Sequence, residues 1–315
     1  MTSDRTTCPA RVGILILNYH KPEATLACVR RLLETESGAA RVLWLENDAD
    51  ATLAATLALL QGSGLPWVQV DSAQGPLPPP GTVGVIPIAQ NLGYAGGNNT
   101  GLRFLRRHGV DFAWIMNNDT LMVRGSSADL IQAAEARPEV GLWGMWVSSP
   151  DAPPYIGLRT QMKDFAVARI TDPAALETDP LSFVNGCAMF LRTAQCLDLG
   201  GIPEEYFMYY EDNALTMEIR KHGLGIAAVE QVDVLHAHPT AKGRRSRVME
   251  FYCRRNRWHF IHQYFPGHLQ RQKRLFFLYQ LQKLFFRLRF DRIRLECRAY
   301  LDFKAGRLGR SHSSL

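Results

Sequence analysis

Asn91-Leu-Gly-Tyr-Ala-Gly-Gly-Asn-Asn-Thr-Gly101, followed closely by Trp114-Ile-Met-Asn-Asn-Asp-Thr120, is the part of the chain that decides its fold. A glycine-rich turn opens a short helix that stops at Gly109, and an apolar strand then carries Asn117, Asn118 and Asp119 to its C-terminal tip. In open α/β sheets small molecules bind just beyond the C-terminal strand ends. A carboxylate there, Asp119, stands where it could hold a phosphate-bridging metal ion. The glycines Gly93, Gly96, Gly97 and Gly101 do not follow G-x-G-x-x-G, so the stretch is not a dinucleotide fingerprint. Taken alone they fit a plain turn, and Asn98 and Asn99 fit the caps of the helix they open.

Upstream, Val12-Gly-Ile-Leu-Ile-Leu17 is the continuous apolar run of a parallel strand covered on both faces. Pro22 suits the first turn of a helix whose Leu26, Val29 and Leu33 recur at helical spacing. A second unit follows, with strand Val42-Leu-Trp-Leu45, Asp50 as N-cap, Leu53, Leu57 and Leu60 as the buried stripe, and Gly62 as the stop. Trp67 to Val70 reads as a further strand and residues 71–84, with four prolines and three glycines, as a loop. This alternation predicts a mainly parallel α/β sheet with helices on both faces.

Residues 148–181, rich in Pro, Asp and Thr, are expected to form a long irregular loop facing the substrate. Beyond them come strand-like Phe183–Leu191, a short helix near 193–199, a helix from Glu211 to His222 stopped by Gly223, and a strand ending at His236. From Arg247 the chain reads as helical.

A chain of 315 residues, 46% hydrophobic and 21% charged, is long enough for one large domain or two small ones. Its net charge of +6 is unevenly spread: residues 242–315 hold 19 Lys/Arg against 4 Asp/Glu, and the rest holds 17 against 26. An anionic partner for the basic end follows: lipid, nucleic acid or substrate. Six scattered cysteines without a Cys-x-x-Cys pair, and no secretory leader, indicate a reducing cytoplasm. No uncharged apolar run approaches the roughly 20 residues that span a bilayer.

Three positions follow or open elements where side chains reach a cleft: Asp119, the pair Glu211-Asp212, and His236. Each has a bland alternative. Glu211 and Asp212 fit a helix N-terminus, where the macrodipole favours carboxylates, and a histidine at a strand end fits a hydrogen-bonded structural residue.

In order, Val12–Tyr19, Asn91–Gly101, Trp114–Thr120, Phe183–Arg192, and Glu205–Arg220 with His236 resemble family-2 glycosyltransferases, especially the rhamnosyltransferase-like members. That family ends its first strand in a motif like Leu17-Asn-Tyr19, carries N-x-G-[FY]-A-G-G-N-N and L-N-N-D-T in the middle, and resembles F-V-x-G-[AC]-x-M-x-x-R and Y-F-x-Y-Y-E-D later. The likeness covers about residues 11–260. It implies the GT-A fold, a divalent ion (Mn²⁺ or Mg²⁺) and an inverting transfer. Asp119 would be the metal-binding Asp of a degenerate D-x-D motif, with Asn117 in the place of its first Asp and His236 a further ligand. Asp212 would be the catalytic base, with Glu211 its neighbour on the acceptor side. Asn18, Glu46, Asn91, Gly93, Gly96, Gly97, Asn98, Asn117 and Asn118 would lie on the donor side. Glu46 replaces the family's base-contacting Asp, and Ala214 replaces a further Asp two residues after the base.

The reaction so implied moves a sugar, dTDP-rhamnose being the expected donor, from its nucleotide to a hydroxyl of a glycan or lipid-linked acceptor in cell-surface polysaccharide synthesis. A GT-A domain over 1–246 and a basic, aromatic helical region over 247–315 are expected. In that region Leu275–Leu278 and Leu284–Phe286, broken by Arg274, Lys283, Arg287 and Arg289, suit an interfacial helix on the inner face of an anionic membrane. Cutting near Pro266 would then leave a soluble domain. The alternatives are a nucleotide-sugar-binding protein without turnover, against which the presence of both Asp119 and Asp212 counts, and a basic nucleic-acid binder. Nucleic acid is not an expected partner, since the body is acidic and carries no known motif for it.

Overall fold

The structure, a computed structural model, describes residues 10–36, 38, 40–150, 152–163, 165–236 and 246–311. The first half runs β1 (Val12–Asn18), α1 (Pro22–Thr35), β2 (Ala40–Asn47), α2 (Ala49–Ser63), β3 (Trp67–Gln69), β4 (Val83–Ile88), α3 (Gly93–Arg107) and β5 (Phe112–Asn117). Next come β6 (Thr120–Arg124), α4 (Ser127–Ala136), β7 (Val140–Ser149), β8 (Ala152–Tyr155), β9 (Gly157–Thr160) and β10 (Val167–Ile170). Then follow α5 (Pro173–Thr178), β11 (Ser182–Phe183), β12 (Ala188–Arg192) and α6 (Thr193–Asp198). A 3-10 turn at Glu204–Tyr206 precedes α7 (Glu211–Lys221) and β13 (Gly225–His236). The chain ends in α8 (Arg247–Tyr264), α9 (Pro266–Leu275), a π-helical turn at Phe276–Gln280, α10 (Leu281–Phe286) and α11 (Phe290–Lys304).

One large sheet, in the order β3-β4-β2-β1-β5-β12-β7-β13-β6 with β8 on β7, organises the molecule. The strands from β3 to β5 are parallel, β12 runs against both of its neighbours, and β13 is parallel to β7 but antiparallel to β6. Because β2 lies on one side of β1 and β5 on the other, the strand order reverses at β1, and ligand crevices open at such a point. Apolar side chains of alternate strand positions fill two cores, one containing Ile14, Val42 and Trp114, the other Leu15, Leu43 and Ile115. Burial on both faces explains why β1 and β2 read as unbroken apolar runs.

Several boundaries differ from expectation. The cap of α2 is Asp48, in a left-handed conformation, and Asp50 lies inside the helix with its N–H on the carbonyl of Ala89. The helix runs past Gly62 and stops at Gly64, which has φ 73°. Strand β4 starts at Val83, so the loop ends at Thr82, two residues before Gly84. Residues 148–181 are not an irregular loop: β9, β10 and β11 form a separate antiparallel sheet, and β8 adds to the edge of the large one. Pro153 and Pro154 disguise β8, since proline is tolerated on an edge strand, where its missing N–H is not needed.

The C-terminal helices are joined to the body more closely than a break at residue 247 suggests. Phe251, Tyr252, Trp258, Phe260 and Ile261 of α8 are buried, and Phe260 and Ile261 share a cluster with Tyr206 and Ala214. Trp258 also meets Phe276, Tyr300 and Phe303 at ring-centroid distances of 5.3, 5.3 and 6.3 Å. A cut near Pro266 would expose this aromatic cluster, so a well-behaved truncated domain is not expected.

Candidate active site

Beyond the C-terminal end of β5 lies a cleft of about 400 Å³. Asn117 from the tip of β5, Gly186 from the turn before β12, Glu211 and Asp212 from the start of α7, and His236 from the end of β13 line it. The small sheet contributes Leu158 and Val167 to its wall, so the segment expected to face a substrate borders the cleft as ordered strands.

Strand register brings distant residues together. His236 pairs with Thr120 across β13 and β6, which sets its ring beside Asp119, and Nε2 lies 3.1 Å from Asp119 Oδ1. Next to them the Asn117 N–H donates to the carbonyl of Cys187 at 2.9 Å. Gly186 then donates its N–H to Asp212 Oδ2 at 3.0 Å, while its carbonyl accepts the hydroxyl of Tyr94. Asp212 Oδ1 accepts the N–H of Asn213 at 2.9 Å. An ionised carboxylate has about four acceptor sites, so these two bonds orient Asp212 and leave lone pairs for a hydroxyl in the cleft.

Burial pushes the Asp212 carboxyl above its ordinary value, although the N–H groups of Gly186 and Asn213 pull the other way. Glu211 is raised much further, by burial and then by the charge of Asp212, and its Oε2 has no hydrogen-bond partner. The macrodipole of α7 therefore does not dominate at this N-terminus; desolvation does. Burial likewise raises the thiols of Cys28 and Cys187, so neither supplies a thiolate nucleophile.

A carboxyl with a raised folded-state pKa costs stability once the unfolded chain ionises. Below its ordinary value of 4.5 the Glu211 carboxyl is protonated in both states; as pH rises past it the unfolded state loses protons first, and stability falls until the folded value is reached. Glu211→Gln removes this penalty. Its melting temperature at neutral pH is expected to rise by on the order of a few degrees and to depend less on pH between 4.5 and 7, as a series of thermal melts would show. A melting temperature unchanged or lower at neutral pH would count against a protonated Glu211.

The backbone leading to this pair is strained. Phe207, Tyr209 and Tyr210 have φ of 65°, 66° and 77°, and such residues persist only where their surroundings hold them. Asn256 Nδ2, fully buried on α8, donates to the carbonyls of Tyr206, Met208 and Tyr209, each at 2.8 Å. Arg255 beside it adds a bond to Tyr206 O at 3.3 Å and reaches Gly309 O at 2.7 Å. From the other side, the Tyr94 N–H donates to Phe207 O at 2.7 Å.

The expected donor-side set is largely scaffold. Glu46 is fully buried, and its oxygens accept from Asn18 Nδ2 at 3.0 and 2.9 Å, from Trp44 Nε1 at 2.7 Å, and from Thr52 and Thr56. With both oxygens engaged inside, Glu46 is not positioned to contact a base. Asn18 is buried as well, accepting from Thr25 and Lys21, and Asn118 donates to Thr25 at 3.0 Å. Asn91 accepts from Asn47 and from the N–H of Gly93.

The glycines serve packing rather than a turn before the helix. A Cβ on Gly93, at φ 74°, would lie 2.3 Å from Phe207 O, and one on Gly97 would lie 2.4 Å from Leu17. Gly93 thus lets the strained segment dock on α3, and Gly97 lets α3 press on β1. Gly96 packs against Leu92. Asn98 is buried in the second turn, where its Nδ2 donates to Tyr94 O, and neither it nor Asn99 caps the helix. Of that set, Asn117 lines the cleft.

Sequence reasoning missed Tyr94 and Gly186, although both lie inside blocks that carried the resemblance, and Tyr209, Tyr210 and Cys253 on the cleft wall. Ala214, where the family has a second Asp, is buried against Tyr206 and Phe260 and presents nothing to the cleft.

The family described as glycosyltransferase like family 2 matches residues 9–260. The chain belongs to that family. Together with the doubly wound sheet, membership gives a family-2 glycosyltransferase with the GT-A fold. The protein is 25% identical over 193 residues to the N-acetylglucosaminyl-diphospho-decaprenol L-rhamnosyltransferase of Mycobacterium tuberculosis, covering 53% of this chain and 63% of that one. The chain thus spans somewhat under two thirds of that relative. An uncharacterized protein of Mycobacterium bovis is 26% identical over 218 residues, 65% of this chain and 74% of its own. Among solved structures, TarS of S. aureus aligns with a TM-score of 0.46 and 11% identity, covering 80% of this chain and 40% of TarS.

Proposed function

We propose that this family-2 glycosyltransferase is an inverting, metal-dependent enzyme that moves a sugar from a nucleotide donor to a hydroxyl of a glycan or lipid-linked acceptor. The observation that carries the reading is the Asp212 carboxylate, held by two backbone N–H groups at the cleft that Asn117 and His236 also line. In that position Asp212 takes the proton of an acceptor hydroxyl as its oxygen attacks the anomeric carbon from the face opposite the leaving diphosphate. A single displacement of this kind inverts the centre. Glu211, kept protonated by burial, adds no second charge to repel the base.

The donor set at the tip of β5 fits a divalent ion completed by substrate. Asp119 and His236 offer one carboxylate oxygen and one imidazole nitrogen 3.1 Å apart, and no group of three or more such side chains exists among the described residues. Mg²⁺ commonly takes one or two protein ligands and fills its shell with phosphate oxygens and water. Bound there, the ion would neutralise charge growing on the leaving diphosphate. For the base of the donor, Tyr19, 46% exposed at the end of β1, offers a ring in place of the buried Glu46.

The donor is proposed to be dTDP-rhamnose, by likeness to the mycobacterial rhamnosyltransferase. A panel of nucleotide sugars, assayed for hydrolysis with Mn²⁺ or Mg²⁺ and for thermal stabilisation, tests it; dTDP-rhamnose is expected to give the largest response. Asp119→Ala should abolish stimulation by metal and weaken donor binding in its presence, and His236→Ala should do so less completely. Full activity of the unaltered protein in excess chelator would remove the metal from the reading.

A further inference from the structure

The basic C-terminal region ends in an apolar projection that the fold does not cover. Phe285, Phe286, Leu288 and Phe290, at the junction of α10 and α11, are 56%, 81%, 73% and 55% exposed. Phe285 meets Phe286 and Phe290 edge-on, at ring-centroid distances of 6.0 and 5.9 Å. Leu288 has φ 52°, a conformation that ordinarily selects glycine or asparagine. A bulky apolar residue held there, pointing into solvent, gains nothing from the protein's own core.

Arginines are interleaved with this tip. Arg287 is exposed, and Arg289 has one ion pair, with Asp291 at 3.4 Å. Beside it, a groove between α8 and α11 of about 330 Å³ is lined by Arg247, Arg292, Arg294 and Arg298, opposed by Glu250 and Asp291. The pattern is apolar side chains that project and cations that flank them, within a segment carrying 19 Lys/Arg against 4 Asp/Glu.

We propose that the α10–α11 junction is a membrane-docking tip: Phe286 and Leu288 enter the interface of an anionic bilayer while the flanking arginines engage its lipid headgroups. Charge complementarity selects this occupant. A second copy of the chain would bring one strongly basic segment against another, whereas an anionic surface attracts it. No helix among the described residues is long and apolar enough to cross a membrane, so the attachment is peripheral. The proposal does not rest on the transferase reading, because binding is measured without turnover.

The test is flotation of the full chain with vesicles of phosphatidylcholine alone or with phosphatidylglycerol added, at low and high salt. The intact protein is expected to float with the anionic vesicles and to be released as salt rises. Phe286→Ser with Leu288→Ser should lower the bound fraction about tenfold or more at an unchanged melting temperature, because both side chains are exposed. Arg287→Glu with Arg289→Glu should weaken binding to anionic vesicles. An intact protein that stays with the aqueous phase at low salt, or serine variants that bind as well as it does, would overturn the proposal. So would a vesicle-free dimer that the serine changes convert to monomer, since the tip would then be an interface between copies.

Discussion

Asp212→Asn is expected to lower turnover by about 2 to 4 orders of magnitude while donor affinity stays near that of the unaltered protein. The change is nearly isosteric. An asparagine oxygen can still accept the N–H of Gly186 or Asn213, so the start of α7 should keep its geometry. What is lost is the charge that, in the proposed reaction, would take the acceptor's proton. Donor contacts are expected to survive because the residues proposed for the diphosphate, Asn117, Asp119 and His236, stand on β5, the turn after it and β13, and not on α7. Single-turnover rates with titrated donor would separate the two quantities, and a variant keeping more than about a tenth of the rate would remove Asp212 from the role of base.

The same carboxylate sets the pH dependence. Burial places its pKa above the ordinary 3.8, and the base works only when ionised, so kcat/KM should fall as pH drops through that raised value. The limb belongs to Asp212, because Glu211 holds its proton to higher pH. Glu211→Gln should leave it nearly in place, since a protonated carboxyl and a neutral amide put the same charge beside Asp212.

How much of this could be read beforehand follows from what each residue type does. Val12–Leu17 announced β1, because a strand covered on both faces has no polar alternation to confuse with another element. The mainly parallel sheet followed from it, since strands and helices alternate up to β5 except between β3 and β4, which a loop joins. Asp119 and His236 stand 117 residues apart, and only the antiparallel register of β13 on β6 joins them, so no spacing in the chain could pair them. Their pairing was reachable through family resemblance alone. Gly93 and Gly97 look the same in sequence whether they free a turn for a ligand or let two backbones approach, and here the distances to Phe207 and Leu17 decide for packing. Glu46, set on the donor side by the family resemblance alone, is drawn inward by Trp44, Thr52 and Thr56, whose donors no local pattern brings to it. Least legible was Arg255-Asn256, set in a run of arginines that suggests a solvated face, though both are buried.

Those two residues lead to the second large effect expected. Asn256→Ala removes the amide that ties the carbonyls of Tyr206, Met208 and Tyr209 together, while Tyr206 O keeps the N–H of Met208 at 2.8 Å and Arg255 at 3.3 Å. An unsatisfied buried acceptor costs about 1–3 kcal/mol, so the loss should lower the melting temperature by several degrees. The three left-handed residues Phe207, Tyr209 and Tyr210 then lose the clamp that offsets their strain, and the segment should relax towards ordinary backbone angles. Because Tyr210 immediately precedes the Glu211-Asp212 pair, relaxation moves the base away from Gly186. The folded fraction of Asn256→Ala is therefore expected to turn over at least about tenfold more slowly, with donor affinity changed far less, because a small misplacement of a catalytic group is costly. Asn256→Asp, which keeps the shape and removes the donor, should behave like the alanine variant, and Asn256→Gln should recover part of the loss. Normal turnover by the folded Asn256→Ala protein would show that the base keeps its place without the clamp, and that α8 serves stability alone.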